Sequence, residues 1–215
     1  MTEHRVLLAG FEPFGPYSYN VAEQLVDELD GEVIEVSEDT RIQIIGLKLP
    51  LNFRTFREIL AEAIRDTRPE IAVGLGMDFK NLDHLSLEIE AHQEPNYGSY
   101  IQDTEGNIGP DGYLDELPKV IRVPNEAQIT RAIAEVSGIE LSENAGKHMC
   151  ETTLRDLIRQ SENGSKFQPA FIHLPHTPDL LPDSAKLNAH TQSMPLEQQR
   201  EIIKAVIRNI GAFYL

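Results

Sequence analysis

The sequence predicts a single-domain α/β protein, a three-layer α/β/α sandwich around a twisted, mixed but largely parallel sheet. Three observations predict it. Short apolar runs alternate with amphipathic stretches along the chain, the rhythm of strands joined by crossover helices. Several runs, such as Val6-Leu7-Leu8-Ala9 and Ile71-Ala72-Val73, are continuously apolar, as strands covered on both faces are. The length, 215 residues with 40% hydrophobic and 25% charged, suits one ordinary folded domain.

Arg5 to Ala9, closed by Gly10, reads as the first buried strand. Asn20 is placed to cap the next segment, where Ala22, Leu25, Val26 and Leu29 recur at helical spacing. Residues 32–36 and 41–49 read as strands. Residues 53–66 read as a helix, with Phe56, Ile59, Leu60, Ala63 and Ile64 on one face and Pro69 closing it. Residues 71–75 read as a second buried strand, and 85–91 as a half-buried one. The rhythm then breaks. Residues 93–118 hold Pro95, Gly98, Gly106, Gly109, Pro110, Gly112 and Pro118 with few apolar residues. This predicts an excursion within one domain spanning 1–215 rather than a linker, because the alternation resumes after it. Long loops inside compact domains are often functional. Helices are expected from Asn125 to Ala134, from near Ala145 to Gln160 and from Leu196 to Tyr214, with strands at 139–141 and 170–174. The last helix presents Ile202, Ile203, Val206, Ile207 and Ile210 to the core.

The charge is uneven. Acidic residues number 35 against 19 Lys and Arg, a net charge of −16. Residues 16–40 hold Glu23, Asp27, Glu28, Asp30, Glu32, Glu35, Glu38 and Asp39 and no base. Residues 81–118 hold Asp83, Glu88, Glu90, Glu94, Asp103, Glu105, Asp111, Asp115 and Glu116, again with no Lys or Arg. No basic stretch is present to neutralise phosphates, so neither nucleic acid nor an anionic membrane is an expected partner. No apolar run reaches the roughly 20 residues that span a bilayer, and the first residues lack the pattern of a secretory leader. With one cysteine, an intramolecular disulfide is impossible and a reducing, cytoplasmic compartment is the expectation.

Three residues sit where an α/β sheet presents chemistry, near the carboxyl ends of strands. Cys150 opens a helix after the turn Ser142-Glu143-Asn144-Ala145-Gly146, and a helix N-terminus favours thiolate. His173 lies near the end of Phe171-Ile172-His173-Leu174, before Pro175. Glu88 lies in the strand before the acidic excursion. A thiol, an imidazole and an orienting carboxylate make an acyl-transfer site. By residue type and spacing alone, a cysteine on an amphipathic helix and a histidine in an apolar strand read equally as inert core, and Glu88 is one acid among nine in its stretch. The histidines show no ligand spacing on a helix, so neither metal nor cofactor is expected.

Gly10-Phe11-Glu12-Pro13-Phe14-Gly15 after the first strand, with Asn20 beyond it, resembles the opening signature of the pyroglutamyl peptidase I family of cysteine peptidases. The resemblance continues in order. Leu49-Pro50-Leu51-Asn52-Phe53 is similar to its L-P-V-x-F segment and Val73-Gly74-Leu75-Gly76 to its V-G-L-A. Ser86-Leu87-Glu88 matches the segment bearing its catalytic Glu. Ile101 to Asn107 is similar to I-P-D-N-E-G-N, and Ser142 to Cys150 to S-x-x-A-G-x-Y-x-C. Phe171 to Pro175 is similar to F-I-H-V-P, and Ser193-Met194 to a late S-M.

The resemblance implies Cys150 as nucleophile, His173 as general base and later acid, and Glu88 as the group orienting His173. It places Phe11 and Phe14 beside the substrate lactam ring and Asn20 near the same pocket, where core packing and helix capping are the plainer readings. Backbone N–H groups near Cys150 and in a Gly74–Gly76 loop are the candidate oxyanion donors. The implied substrate is a peptide with an N-terminal pyroglutamate, and the implied assembly a homo-oligomer, dimer or tetramer. Some positions depart from the family. Ile89 and Tyr100 stand where it has arginines, His148 where it has Tyr, and Glu151 where it has Asn. An acid next to the nucleophile disfavours thiolate unless it turns away. A cysteine amidase acting on another small acyl amide, and a catalytically weak binding protein of the same family, stay open at this point.

Overall fold

The computed structural model describes residues 2–14, 18–78, 83–92, 102–107, 119–146, 148–164, 166–180 and 192–215. In chain order the elements are β1 (Thr2–Phe11), α1 (Val21–Leu29), β2 (Val33–Glu35), β3 (Thr40–Leu49), α2 (Thr55–Thr67), β4 (Ile71–Met77), β5 (Leu85–Glu88), β6 (Glu90–His92), β7 (Val120–Arg122), α3 (Glu126–Ile133), β8 (Ile139–Ser142), α4 (Met149–Glu162), β9 (Gln168–Leu174) and α5 (Leu196–Tyr214).

One sheet runs in the order β2-β3-β1-β4-β9-β5-β8. Its pairs β3–β1, β1–β4, β4–β9 and β5–β8 are parallel, while β2–β3 and β9–β5 are antiparallel. This is the mixed, largely parallel sheet expected. A separate ribbon pairs β6 with β7.

The layers follow from period-two alternation on the strands. On β1, Val6 and Leu8 pack with Leu25, Val26 and Leu29 of α1 and with Ile203, Val206 and Ile207 of α5. Leu7, Ala9 and Phe11 point the other way, to Phe56, Leu60 and Ile64 of α2 and to Met149 and Leu157 of α4. Helices α1, α3 and α5 therefore form one outer layer, and α2 and α4 the other. Ile203, Val206 and Ile207 are fully buried, and each such side chain contributes about 2 kcal/mol on leaving water.

The structure differs from the sequence reading at several points. The strand expected over 85–91 divides at Ile89: its N–H bonds Ser142 O and its carbonyl accepts from Val123 N, so β5 stays in the main sheet and β6 leaves it to meet β7. The short strand β7 had no periodicity to announce it. Helix α4 starts at Met149, not near Ala145. Gly146 has φ +88° and its N–H bonds the Asn144 side chain at 3.1 Å, a turn that no α-helix can include. Of the predicted excursion at 93–118, only residues 102–107 are among those described. They dock on the turn before α2. Thr104 N–H donates to Leu51 O, and the buried Asp103 carboxylate accepts from the N–H groups of Phe53, Glu105 and Asn107 at 2.8–3.1 Å. Burial pushes the Asp103 carboxyl up, but the hydrogen bonds from Asn107, Phe53 and Glu105 outweigh it and hold the group below its ordinary value.

Asn20 caps α1, accepting from Ala22 N–H at 2.9 Å, while its amide donates to Glu12 O at 3.1 Å. One side chain thus starts the helix and straps down the loop that carries Phe14. Asn20→Ala is expected to lower stability by about 1–2 kcal/mol, from cap loss. Asn20→Asp, which keeps the cap but not the donor to Glu12, should lie between the two in chemical denaturation. Equal midpoints for all three would contradict the double role.

Candidate active site

The site forms on the α4 side of the sheet, where three neighbouring strands present alternate residues. His173 of β9 is level with Gly76 of β4 on one side and Ser86 of β5 on the other. Because β5 runs antiparallel to β9, Glu88, two residues past Ser86, lies diagonally across the ladder on the face His173 occupies. Diagonal pairs of this kind are within reach of long side chains. Glu88 Oε1 meets His173 Nδ1 at 2.8 Å. The other carboxylate oxygen accepts from Asn144 N–H at 3.2 Å. Glu88 and His173 are 1% and 6% exposed, so this bond is shielded from water. With Nδ1 donating to Glu88, Nε2 is left for the thiol.

Helix α4 lies over this face. Cys150 is the second residue of the helix, is half-buried and hydrogen bonds with His173. Among the described residues no side chain caps the start of α4, so the first-turn N–H groups and the helix dipole remain available to an anion. Burial works against the His173 imidazolium. The negative charge and hydrogen bond of Cys150, then those of Glu88, outweigh it and raise His173 from 6.5 to about 10.

Gly74 and Gly76 lie inside β4, not in a loop as the sequence reading had it. The strand continues to Met77, and Gly74 has ladder partners on both sides, so its polar backbone groups belong to the sheet. What the two glycines supply is space. A Cβ on Gly76 would stand 2.7 Å from Cys150 Sγ, and one on Gly74 would stand 2.5 Å from the Phe171 ring. Both contacts are shorter than atoms tolerate, so the seat of the Cys150 thiol requires glycine. Phe171 also meets the His173 ring edge-on at 5.1 Å.

The other predicted residues fall apart from one another in role. Phe11 is 4% exposed and packs edge-on against Phe56 at 5.4 Å, inside the core. Phe14 is only partly buried and touches both hydrophobic clusters. Asn20 is 1% exposed with its amide committed to backbone. His148 packs on Phe53 at 5.0 Å, immediately before the helix. Glu151 does not turn to solvent but is fully buried. Sequence reasoning passed over Arg155, which is also fully buried. Its only signal was a base one helical turn from Glu151. Tyr100 lies outside the described residues.

A raised histidine adds stability that is whole below its ordinary value of about 6.5 and is lost as pH rises through about 10. His173 is therefore expected to titrate near pH 10 by ring NMR, and Glu88→Gln should lower that midpoint by removing one negative neighbour. A wild-type midpoint near 6.5 would contradict the geometry.

The sequence model of the pyroglutamyl peptidase family matches residues 4–212. The pyrrolidone-carboxylate peptidase of Pyrococcus furiosus is 27% identical over 212 residues, covering 94% of this chain and 96% of the relative. That of Halalkalibacterium halodurans is 29% identical over 208 residues, covering 94% of each. A solved structure of a mutant pyrrolidone carboxyl peptidase from Pyrococcus furiosus superposes with a TM-score of 0.84 at 25% identity, over 98% of this chain and 100% of that one. The Thermococcus litoralis pyrrolidone carboxyl peptidase shares the fold, with a TM-score of 0.83 over 98% of this chain and 94% of its own, at 24% identity. A match over nearly the whole sequence, on this sheet order, makes the chain a member of the pyroglutamyl peptidase family.

Proposed function

We propose that the protein is a cysteine peptidase that removes N-terminal pyroglutamate from peptides. The observation that carries this reading is the meeting of one thiol, one buried imidazole and one buried carboxylate on a single sheet face, with Glu88 at 2.8 Å from His173 and Cys150 hydrogen bonded to the same ring.

The chemistry follows from those positions. Cys150 Sγ attacks the pyroglutamyl carbonyl carbon, forming a C–S bond and a tetrahedral oxyanion. The N–H groups of the first turn of α4 are the donors that would hold the oxyanion. His173 gives its Nε2 proton to the departing peptide amine as the C–N bond breaks, leaving a thioester. Water then attacks the thioester while His173 takes its proton, and pyroglutamate and the thiolate are released. Glu88 keeps the imidazole oriented and stabilises its cation. Phe14 is the apolar wall offered to the lactam ring, with Phe11 supporting it from the core and Asn20 holding the loop. A reducing, cytoplasmic compartment suits a catalytic thiol.

A fluorogenic pyroglutamyl amide tests the reading. The wild type should release the fluorophore, and Cys150→Ala should abolish release. His173→Ala should lower kcat by about 10²–10⁴-fold, the usual worth of a positioned acid–base group. Gly76→Ala, which crowds Sγ, should fold but lose most of its kcat. Release that persists in Cys150→Ala would overturn the reading.

A further inference from the structure

We infer that Tyr19 and His176 are positioning residues of this site. Their hydrogen bond straps the connection that carries Phe14 to the chain just past His173, and so restricts the acyl pocket to groups as small and flat as a lactam ring. This role rests on the proposed function, in which Phe14 is the wall that the ring meets.

The strap follows from the sheet order. β1, β4 and β9 are neighbours and parallel, so their carboxyl ends lie at one edge. The connection from β1 to α1 leaves that edge with Phe14 and Tyr19. The chain past β9 leaves it with His176, three residues beyond His173. With β4 between them, the two exits start two strand spacings apart, roughly 10 Å. Tyr19 and His176 close that gap. The phenol oxygen meets His176 Nδ1 at 3.1 Å, and the rings stand edge-on with centroids 6.3 Å apart. Both residues are partly buried. Burial holds the imidazole below its ordinary value, against the pull of Asp78, so at neutral pH the ring is uncharged and the bond joins two neutral groups.

Each end of the strap is anchored. Asn20, next to Tyr19, ties back to Glu12 O and caps α1, which closes the connection at its base. Phe14 and Tyr19 also pack against the same hydrophobic cluster. On the far side, Asp78 N–H donates to Leu174 O at 2.9 Å and prolongs the contact of β4 with β9. The fully buried Gln199 of α5 donates from Nε2 to Pro175 O at 3.1 Å and to Met194 O at 2.8 Å. Met194 N–H returns to His176 O at 2.9 Å. His176 is therefore a fixed post, and a wall tied to it keeps its distance from His173. A wall that cannot retreat discriminates by size, where one methylene is worth about 10–200-fold.

The test compares wild type, Tyr19→Phe, His176→Phe and the double variant on two fluorogenic amides, the pyroglutamyl one and its six-membered lactam homologue. Melting curves and fluorine NMR of fluorophenylalanine-labelled protein accompany the kinetics. Each single variant should raise KM for the pyroglutamyl amide about fivefold while kcat stays within about twofold, because the wall binds ground state and transition state alike. Preference for the five-membered ring should fall about fivefold. The double variant should be no worse than either single one, since all three lack the same bond. The Phe14 signal, assigned in each background from Phe14→Leu, should move. A purely structural role would lower melting temperatures and leave KM and ring preference alone. An unchanged KM, an unchanged ring preference, additive losses or an unmoved Phe14 signal would overturn the inference. A wild type silent on the pyroglutamyl amide overturns the proposed function instead, and the Phe14 signal then decides the strap by itself.

Discussion

The candidate site depends on the bond between Glu88 and His173, and that bond depends on strand direction. In a sheet otherwise dominated by parallel pairs, β5 runs against β9. The antiparallel ladder sets Ser86 level with His173 and brings Glu88 within 2.8 Å of it on the diagonal. A slip of one residue would turn Glu88 to the opposite face. The register resists such a slip because Leu85 and Leu87 are buried on the other side of the strand, and because β8 pairs with all four residues of β5. The Glu88 carboxylate is thus held in place by apolar packing behind it.

Helix α4 imposes the second constraint. It is buried toward the sheet and also along much of its remaining surface, with Glu151, Arg155 and Asp156 all at 6% exposure or less. Buried charges rarely add net stability, but removing one partner of a pair is costly. Their effect is on placement: Asp156 fixes α4 to α2 through Arg57, and Arg155 fixes it to β6. A helix held from two sides can seat Cys150 against Gly76 with no Cβ between them.

The fold was legible because its signals are local. Apolar runs marked β1, β4 and β9, and helical periodicity marked α1, α2 and α5. What escaped was decided at a distance. The break at Ile89 comes from two backbone bonds to segments more than 30 residues away in sequence. β7 is three residues with one intermediate and two exposed side chains, too short for a period to show. For the site, residue types and resemblance singled out Cys150, His173 and Glu88. The diagonal that joins the last two needs the direction of β5, which no residue in the strand announces. Gly74 and Gly76 looked like loop donors because glycine suits turns as well as close approaches, and only the position of Sγ separates the two. Arg155 was passed over and the direction of Glu151 was left open because burial of charge depends on what packs outside the helix.

The acidic character of the chain also changes meaning once Asp103 is placed. It belongs to the stretch without Lys or Arg, yet its carboxylate holds the N–H groups of Phe53, Glu105 and Asn107, as a helix cap holds free donors. Phe53 in turn packs on His148, which opens the helix bearing Cys150. A run of contacts therefore leads from the excursion through the turn before α2 to the start of the helix that carries Cys150. The carboxylate is held below its ordinary value, so what it contributes is present above about pH 3.9 and is lost only as pH falls through that lowered value. Across the range in which His173 keeps its proton, up to about 10, this anchor keeps its charge. The acids of residues 81–118 thus divide by what each one faces: Glu88 serves an imidazole, Asp103 serves backbone donors, and Glu90 answers Arg122 on the neighbouring strand.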